Sequence, residues 1–265
     1  MERLIPGLLM AVLWVLLLLL APPLLFWCVI VLGAALAVHE LFTLLRQGAA
    51  PDLLRFLIPL CLLPVLLGIT GSAALVLIGV YLALLGLVAA IIFLYSRCTD
   101  PLADLLHTGF AVVYISVGCA FLVLLHFQEN GSSWLLLLTA VTAGSDTGAY
   151  YVGRAVGRRK LCPNISPGKT INGALGGIFT AIFAAVLLGC FLLPQISSIR
   201  LALAAVLLAP VGIAGDLAES IIKRGTGIKD SGTLLGGHGG LLDRTDSLLF
   251  AGPLLYLLLY SGVLV

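Results

Sequence analysis

Charge is what this chain of 265 residues has least of: 10% are Asp, Glu, Lys or Arg, against about 25% in an ordinary soluble domain. So little charge cannot cover a soluble fold of this size, and a water-exposed globule is excluded. Strand-like alternation of apolar and polar residues is missing, which excludes a membrane β-barrel. The six cysteines (Cys28, Cys61, Cys98, Cys119, Cys162 and Cys190) form no CxxC pair. They read as small apolar fillers, without a zinc or disulfide framework. Internal repeats and low-complexity tails are lacking. A net charge of +2 says little in itself, and no nucleic-acid partner is expected.

What the chain has instead is apolar length. Of its residues 61% are hydrophobic, in Leu/Val/Ala runs close to the roughly 20 residues that cross a bilayer as a helix. Its 30 glycines agree with this, because glycine is commoner in membrane helices than in soluble ones. The expected fold is all-α, a polytopic transmembrane helical bundle. Nine spans are predicted: Ile5–Leu20, Leu24–Val38, Leu53–Ile69, Ala73–Tyr95, Thr108–Phe127, Trp134–Tyr151, Ile171–Leu193, Ile199–Ala214 and Ser247–Val265. The first two are separated only by Ala21-Pro22-Pro23, so one kinked or re-entrant element is the alternative. A cleavable signal peptide over Leu8–Leu20 is a less simple reading than an anchor, since eight more apolar segments follow.

The cations test that count. With the N-terminus in the cytoplasm, thirteen of the fourteen Lys and Arg fall on the cytoplasmic side and Arg200 alone on the other. One miscounted span would scramble the asymmetry. Residues 1–130 read as N-terminal, structural and lipid-facing helices, and residues 131–265 as the catalytic part.

Polar residues gather unevenly. In the first half His39, Glu40, Arg46, Asp52, Arg55, Arg97, Asp100, Asp104 and His107 read as interfacial anchors. Two later segments, both cytoplasmic by the alternation, are richer. One runs from Ser145-Asp146 through Arg154, Arg158, Arg159 and Lys160 to Ser166-Pro167-Gly168-Lys169-Thr170. The other runs from Asp216 to Asp246. On a helix, Asp216, Glu219, Ser220 and Lys223 share one face, as do Asp243 and Asp246. Carboxylates at two helix ends suit a hard cation such as Mg²⁺, which takes oxygen ligands and phosphate together. Nearby lysines, arginines and glycine amides suit a polyphosphate. The competing reading is a charged loop whose ions satisfy one another. His238, between two glycine pairs, reads more readily as solvated or structural than as catalytic.

Gly168-Lys169-Thr170 has the tail of a P-loop, but that motif needs Gly where Pro163 stands, and no strand is expected before it. A Walker site is excluded. Asp146 and Tyr150, one turn apart at a helix end, either line the same cavity or anchor the helix.

These residues carry a family resemblance. The 27 residues Ser220–Asp246, through Lys223-Arg224, Lys229-Asp230-Ser231-Gly232, Gly236-Gly237-His238-Gly239-Gly240 and Asp243-Arg244-Thr245-Asp246, resemble the signature of the CDP-diacylglycerol synthases (phosphatidate cytidylyltransferases). Ser145-Asp146, Gly153-Arg154 and Ile165–Thr170 are similar to that family's second block. The chain departs from the family at Gly168, usually Lys, and Asn172, usually acidic.

The resemblance implies transfer of CMP from CTP to phosphatidic acid, with Mg²⁺ as cofactor and room for a second cation. It implies metal ligation by Asp216, Asp243 and Asp246, and catalytic roles for Asp243, Asp246, Lys223 and Arg244. Substrate contacts fall to Arg224, Lys229, Asp230, His238, Lys169, Ser166 and Asp146. It further implies a multi-pass protein of the cell (inner or plasma) membrane, a cytoplasm-facing active site and a homodimer. Competing readings are a CDP-archaeol synthase or polyprenol kinase, a transporter with Asp146 and Asp216 as ion sites, and an intramembrane aspartyl protease. The transporter leaves the glycine-rich basic loop idle, and the protease lacks its Gly-x-Gly-Asp element before Asp216.

Overall fold

The computed structural model describes residues 4–45, 51–98, 100–227, 232 and 239–264. Helices dominate, and the chain divides into two compact units: residues 1–128 with 225–244, and residues 129–224 with 245–265.

The first unit holds α1 (Leu4–Leu20), α2 (Pro23–Leu45), α3 (Pro51–Leu67) and α4 (Ala73–Phe93). It also holds α5 (Pro101–Ala111) and α6 (Val117–His126), joined into one rod by a π-turn at Val112–Ser116. The break after Leu20 makes α1 and α2 two helices, because neither Pro22 nor Pro23 has an N–H to continue the ladder. Pro23 opens α2 and Pro101 opens α5, at the end of a helix where no intrahelical donor is missed. Asp100 caps α5 by accepting the Ala103 N–H at 3.0 Å. The Val65 carbonyl, in the last turn of α3, accepts from the Trp27 indole N–H at 3.0 Å. Gly79 of α4 lies where a side chain would meet the Pro64 backbone, so α3 and α4 touch main chain to main chain.

Glu40 and Asp104 correct the expectation of plain interfacial anchors. They are 3% and 6% exposed, packed inside the unit. A helix that carries an acid past the end of an apolar run can still be covered by its neighbours, and hydropathy does not register that.

The second unit is built on α7 (Gly131–Val156) and α8 (Ile171–Leu192), an antiparallel pair. The buried positions of α8 are Gly173, Gly177, Ala181, Ala185 and Gly189, one small residue every four. This spacing lets helix backbones approach closely where lipid supplies no hydrophobic push. A Cβ on Gly177 would lie 2.6 Å from the Ser145 carbonyl, and one on Gly173 would lie 2.7 Å from that of Ala149. Thr180 donates across the seam to the Gly144 carbonyl at 2.8 Å.

Between these helices stands a β-hairpin, β1 (Lys160–Cys162) against β2 (Ser166–Thr170), where the sequence led us to expect a loop with no strand ahead of it. The turn is Cys162-Pro163-Asn164-Ile165, closed by the Ile165 N–H on the Cys162 carbonyl at 3.2 Å. Proline presets the second turn position, and strand pairing satisfies main-chain groups that a loop would leave to water. α9 (Ser198–Gly225) and α10 (Leu242–Tyr260) complete the element order.

The predicted apolar segments fall mostly on these helices, but their ends differ: α9 continues eleven residues past Ala214 and α7 five past Tyr151, whereas α4 stops at Phe93 and α10 at Tyr260. Among the described residues five helices are long and apolar enough to cross a membrane: Pro23–Leu45, Ala73–Phe93, Pro101–His126, Ile171–Leu192 and Ser198–Gly225.

Because the seam meets backbone rather than mobile side-chain ends, Gly177→Ala is expected to destabilise the protein by about 1–3 kcal/mol. Gly109, with open space around it, is the control, and Gly109→Ala should change stability by less than about 1 kcal/mol. Thermal unfolding in detergent compares the two; equal melting temperatures would refute the close seam.

Candidate active site

Four elements of the second unit bring together Asp146 (α7), Lys169 (β2), Asp216 (α9) and Asp246 (α10). Lys169 Nζ pairs with Asp216 Oδ2 at 2.5 Å, both side chains being about three-quarters covered. Asp146 interacts with the charges of Asp216 and Lys169, and Asp246 with those of Asp216, Asp146 and Lys169. With all ionised, three carboxylates face one ammonium, leaving two negative charges in excess.

Local sequence explains the convergence. Gly215 carries no side chain where the Asp246 carbonyl presses on α9, and a side chain at Gly212 would meet Thr142 of α7 and Ser247 of α10. Lys169 is delivered by the hairpin, whose last residue, Thr170, caps α8 by accepting the Gly173 N–H at 3.0 Å. Asn172 donates to the Val156 carbonyl at 2.8 Å, closing the end of α7. An acidic side chain at 172 could not donate that bond, so the departure at this position is structurally used. Gly168 has open space around it. Because Gly168-Lys169-Thr170 is strand, the exclusion of a P-loop stands.

Asp246 lies ahead of the apolar run of α10 and is 8% exposed, its Oδ1 accepting the Ser247 N–H at 2.6 Å. Burial pushes its carboxyl up to about 7, the charge of Asp216 adds to this, and the Ser247 N–H opposes it.

Farther along α9, Glu219 is 1% exposed and holds Lys223 Nζ at 2.8 Å. The helix face read from the sequence therefore divides into two ion pairs, Asp216 with Lys169 and Glu219 with Lys223. Arg224 donates from Nε to the Ile165 carbonyl at 3.2 Å, tying the end of α9 to the hairpin turn. Ser166 is half-buried on β2.

In the first unit, Asp243 Oδ2 accepts the Gly240 N–H at 2.9 Å, and Arg244 is exposed. Gly239 adopts φ +79°, a left-handed conformation natural to glycine, directly against the Asp243 carboxylate. Lys229, Asp230 and His238 lie outside the described residues.

Among the described residues no three His, Cys, Asp or Glu side chains converge closely enough to hold a metal ion as they stand. By type, however, Asp146, Asp216 and Asp246 are all-oxygen donors that outnumber their one ammonium, Lys169, and oxygen donors are what a hard divalent cation favours. Sequence reasoning placed Glu219 on the polar face with Lys223 without giving it a role, and read Glu40 as an interfacial anchor, because a lone Glu40 carries no spacing signal.

The cytidylyltransferase family model matches residues 1–261 of the chain. The chain is 44% identical over 128 residues to the uncharacterized protein YnbB of Escherichia coli (strain K12), covering 48% of this chain and 43% of that protein. It is 42% identical over 151 residues to a phosphatidate cytidylyltransferase of Bacillus subtilis, 56% of each. Identity to a phosphatidate cytidylyltransferase of Mycobacterium bovis is 35% over 245 residues, 84% of this chain and 76% of that one. The chain's match spans about half the length of the first two of these relatives.

The raised carboxyl of Asp246 fixes the sign of a pH effect. Its folded value, about 7, exceeds its ordinary value of 3.8, so the folded state holds this proton more tightly and loses stability as pH rises between them. Asp246→Asn should therefore melt higher than the parent at pH 8 without divalent cations, by roughly 2–4 °C per kcal/mol relieved. The gap should close at pH 4; a lower melting temperature for the variant at pH 8 would contradict the burial cost.

Proposed function

Because the chain belongs to the cytidylyltransferase family, we propose that it transfers CMP from CTP to phosphatidic acid, giving CDP-diacylglycerol and pyrophosphate. The observation that carries this reading is the cluster of Asp146, Asp216 and Asp246 around Lys169. Relatives named phosphatidate cytidylyltransferase supply the substrate class.

The chemistry asks little of a side-chain nucleophile. The phosphate monoester of phosphatidic acid is largely dianionic near neutral pH. One of its oxygens attacks the α-phosphorus of CTP, the bond from that phosphorus to the bridging oxygen breaks, and pyrophosphate leaves. Positioning two anions and offsetting their charge accounts for most of such a step.

Asp216, Asp246 and Asp243 are assigned to hold Mg²⁺, which when bound would neutralise charge building on the pyrophosphate. Lys169 keeps Asp216 compensated before substrate arrives. Lys223, Arg224, Lys229 and Arg244 are assigned to the phosphates, with Glu219 orienting Lys223 and the Ile165 carbonyl orienting Arg224. Asp146, Ser166, Asp230 and His238 are assigned to the walls of the substrate site. An excess of carboxylate over ammonium would repel two anionic substrates if no cation were recruited, which supports the Mg²⁺ assignment.

The deciding assay is pyrophosphate release by purified protein with CTP and Mg²⁺. Release should require phosphatidic acid and stop with EDTA, and Asp243→Asn or Asp246→Asn should lower kcat by about 10³-fold or more with the protein still folded. Release without lipid would reject the substrate assignment, and near-normal turnover in both variants would reject the metal ligands.

The apolar helices identify a membrane protein. The finer topology, nine spans in the cell membrane with N-terminus and active site cytoplasmic, is also proposed, on the strength of the cation asymmetry. Cysteines introduced at 158 and 200, on either side of α8, should be labelled by an impermeant reagent from opposite faces of sealed vesicles. Labelling from one face would refute it.

A further inference from the structure

Asp243 and Arg244 stand in the first turn of α10, and the amide that begins this helix, Leu242 N–H, has no acceptor of its own in the ladder. Its acceptor is Glu40 Oε2 of α2, at 3.0 Å and 202 residues away in the chain. Glu40 is 3% exposed and Leu242 fully buried, so water cannot substitute for the bond. The second carboxylate oxygen, Oε1, lies against Gly232 so closely that a side chain at 232 would collide with it. One buried acid thus touches two separate points of the signature, Gly232 and Leu242. A carboxylate at a helix N-terminus is also favoured by the helix dipole. Immediately upstream, the Gly240 N–H on Asp243 Oδ2 and the left-handed Gly239 continue the same anchored turn.

We propose that Glu40 is a positioning residue, whose carboxylate clamps the Leu242 amide, with Gly232 packed against it, and thereby sets where Asp243 and Arg244 stand. The link to turnover rests on the roles given to Asp243 and Arg244 above; the clamp itself is testable without turnover. Glu40 is an acceptor first and a charge second, because its bond is to an uncharged amide.

The test uses full-length protein in nanodiscs. Glu40→Met keeps the length but removes the acceptor, whereas Glu40→Gln keeps an amide oxygen in place. In Glu40→Met the Leu242 amide should exchange with deuterium about tenfold faster, peptides from the α7–α8 pair being unchanged. The same variant should lose kcat by about tenfold with the KM for CTP altered less than about threefold, and Glu40→Gln should recover both to within about threefold. Unchanged Leu242 exchange in Glu40→Met would overturn the clamp. Faster exchange with normal kcat would overturn its link to the site, and Glu40→Gln behaving as badly as Glu40→Met would mean that charge, not the bond, matters. Should Glu40→Met fail to fold, Glu40→Asp, one methylene short, carries the same expectations. If the parent protein makes no CDP-diacylglycerol, the substrate reading fails while the exchange arm still decides the clamp.

Discussion

Backbone contact between α7 and α8 is the constraint on which the second unit depends. Two helices this close need small residues wherever they cross, and Gly173, Gly177 and Ala181 recur at the spacing that keeps one stripe turned to the seam. The pair in turn fixes both ends of the hairpin: β1 follows α7 closely, and β2 runs directly into α8. Lys169 is therefore held by a short, hydrogen-bonded arm rather than by a free loop. Its ion pair with Asp216 follows from helix packing as much as from charge.

Around that pair the electrostatics are unfavourable by construction. Three carboxylates with one ammonium, partly withdrawn from water, cost stability. Asp246 shows the cost most directly, being buried beside Asp216 with a main-chain amide as its bonded partner. In the proposed function a divalent cation would offset that excess. The proposed lipid substrate fits the apolar setting, since its phosphate lies where membrane-spanning helices end.

The two buried glutamates show how structure and site chemistry share residues. Glu219 orients Lys223 from one turn away on the same helix. Glu40 reaches a helix start distant in sequence, and there an acid substitutes for the side-chain cap usually supplied by a neighbouring Ser, Thr or Asp. Each pairs its Oε2 with a donor, Glu219 with Lys223 and Glu40 with the Leu242 amide, which offsets part of the cost of burial.

Helix class, the positions of the apolar segments and the segments that bear the site were all legible in the sequence, because hydropathy and spacing report directly on burial in lipid and on helix faces. Helix ends were less so: α9 runs on through Asp216, Glu219 and Lys223, since ions paired inside the protein do not end a helix that their transfer energies would seem to end. The hairpin at Lys160–Thr170 was hidden because its strands are three and five residues long and lack alternation. The resemblance to the family signature belongs to local residue order, and so the sequence alone determined it. Which carboxylates converge, that Lys169 meets Asp216, and that Glu40 caps a helix 202 residues away depended on packing. Only the tertiary structure decided these, because contact between distant residues is a property of how helices cross and not of any one stretch of chain.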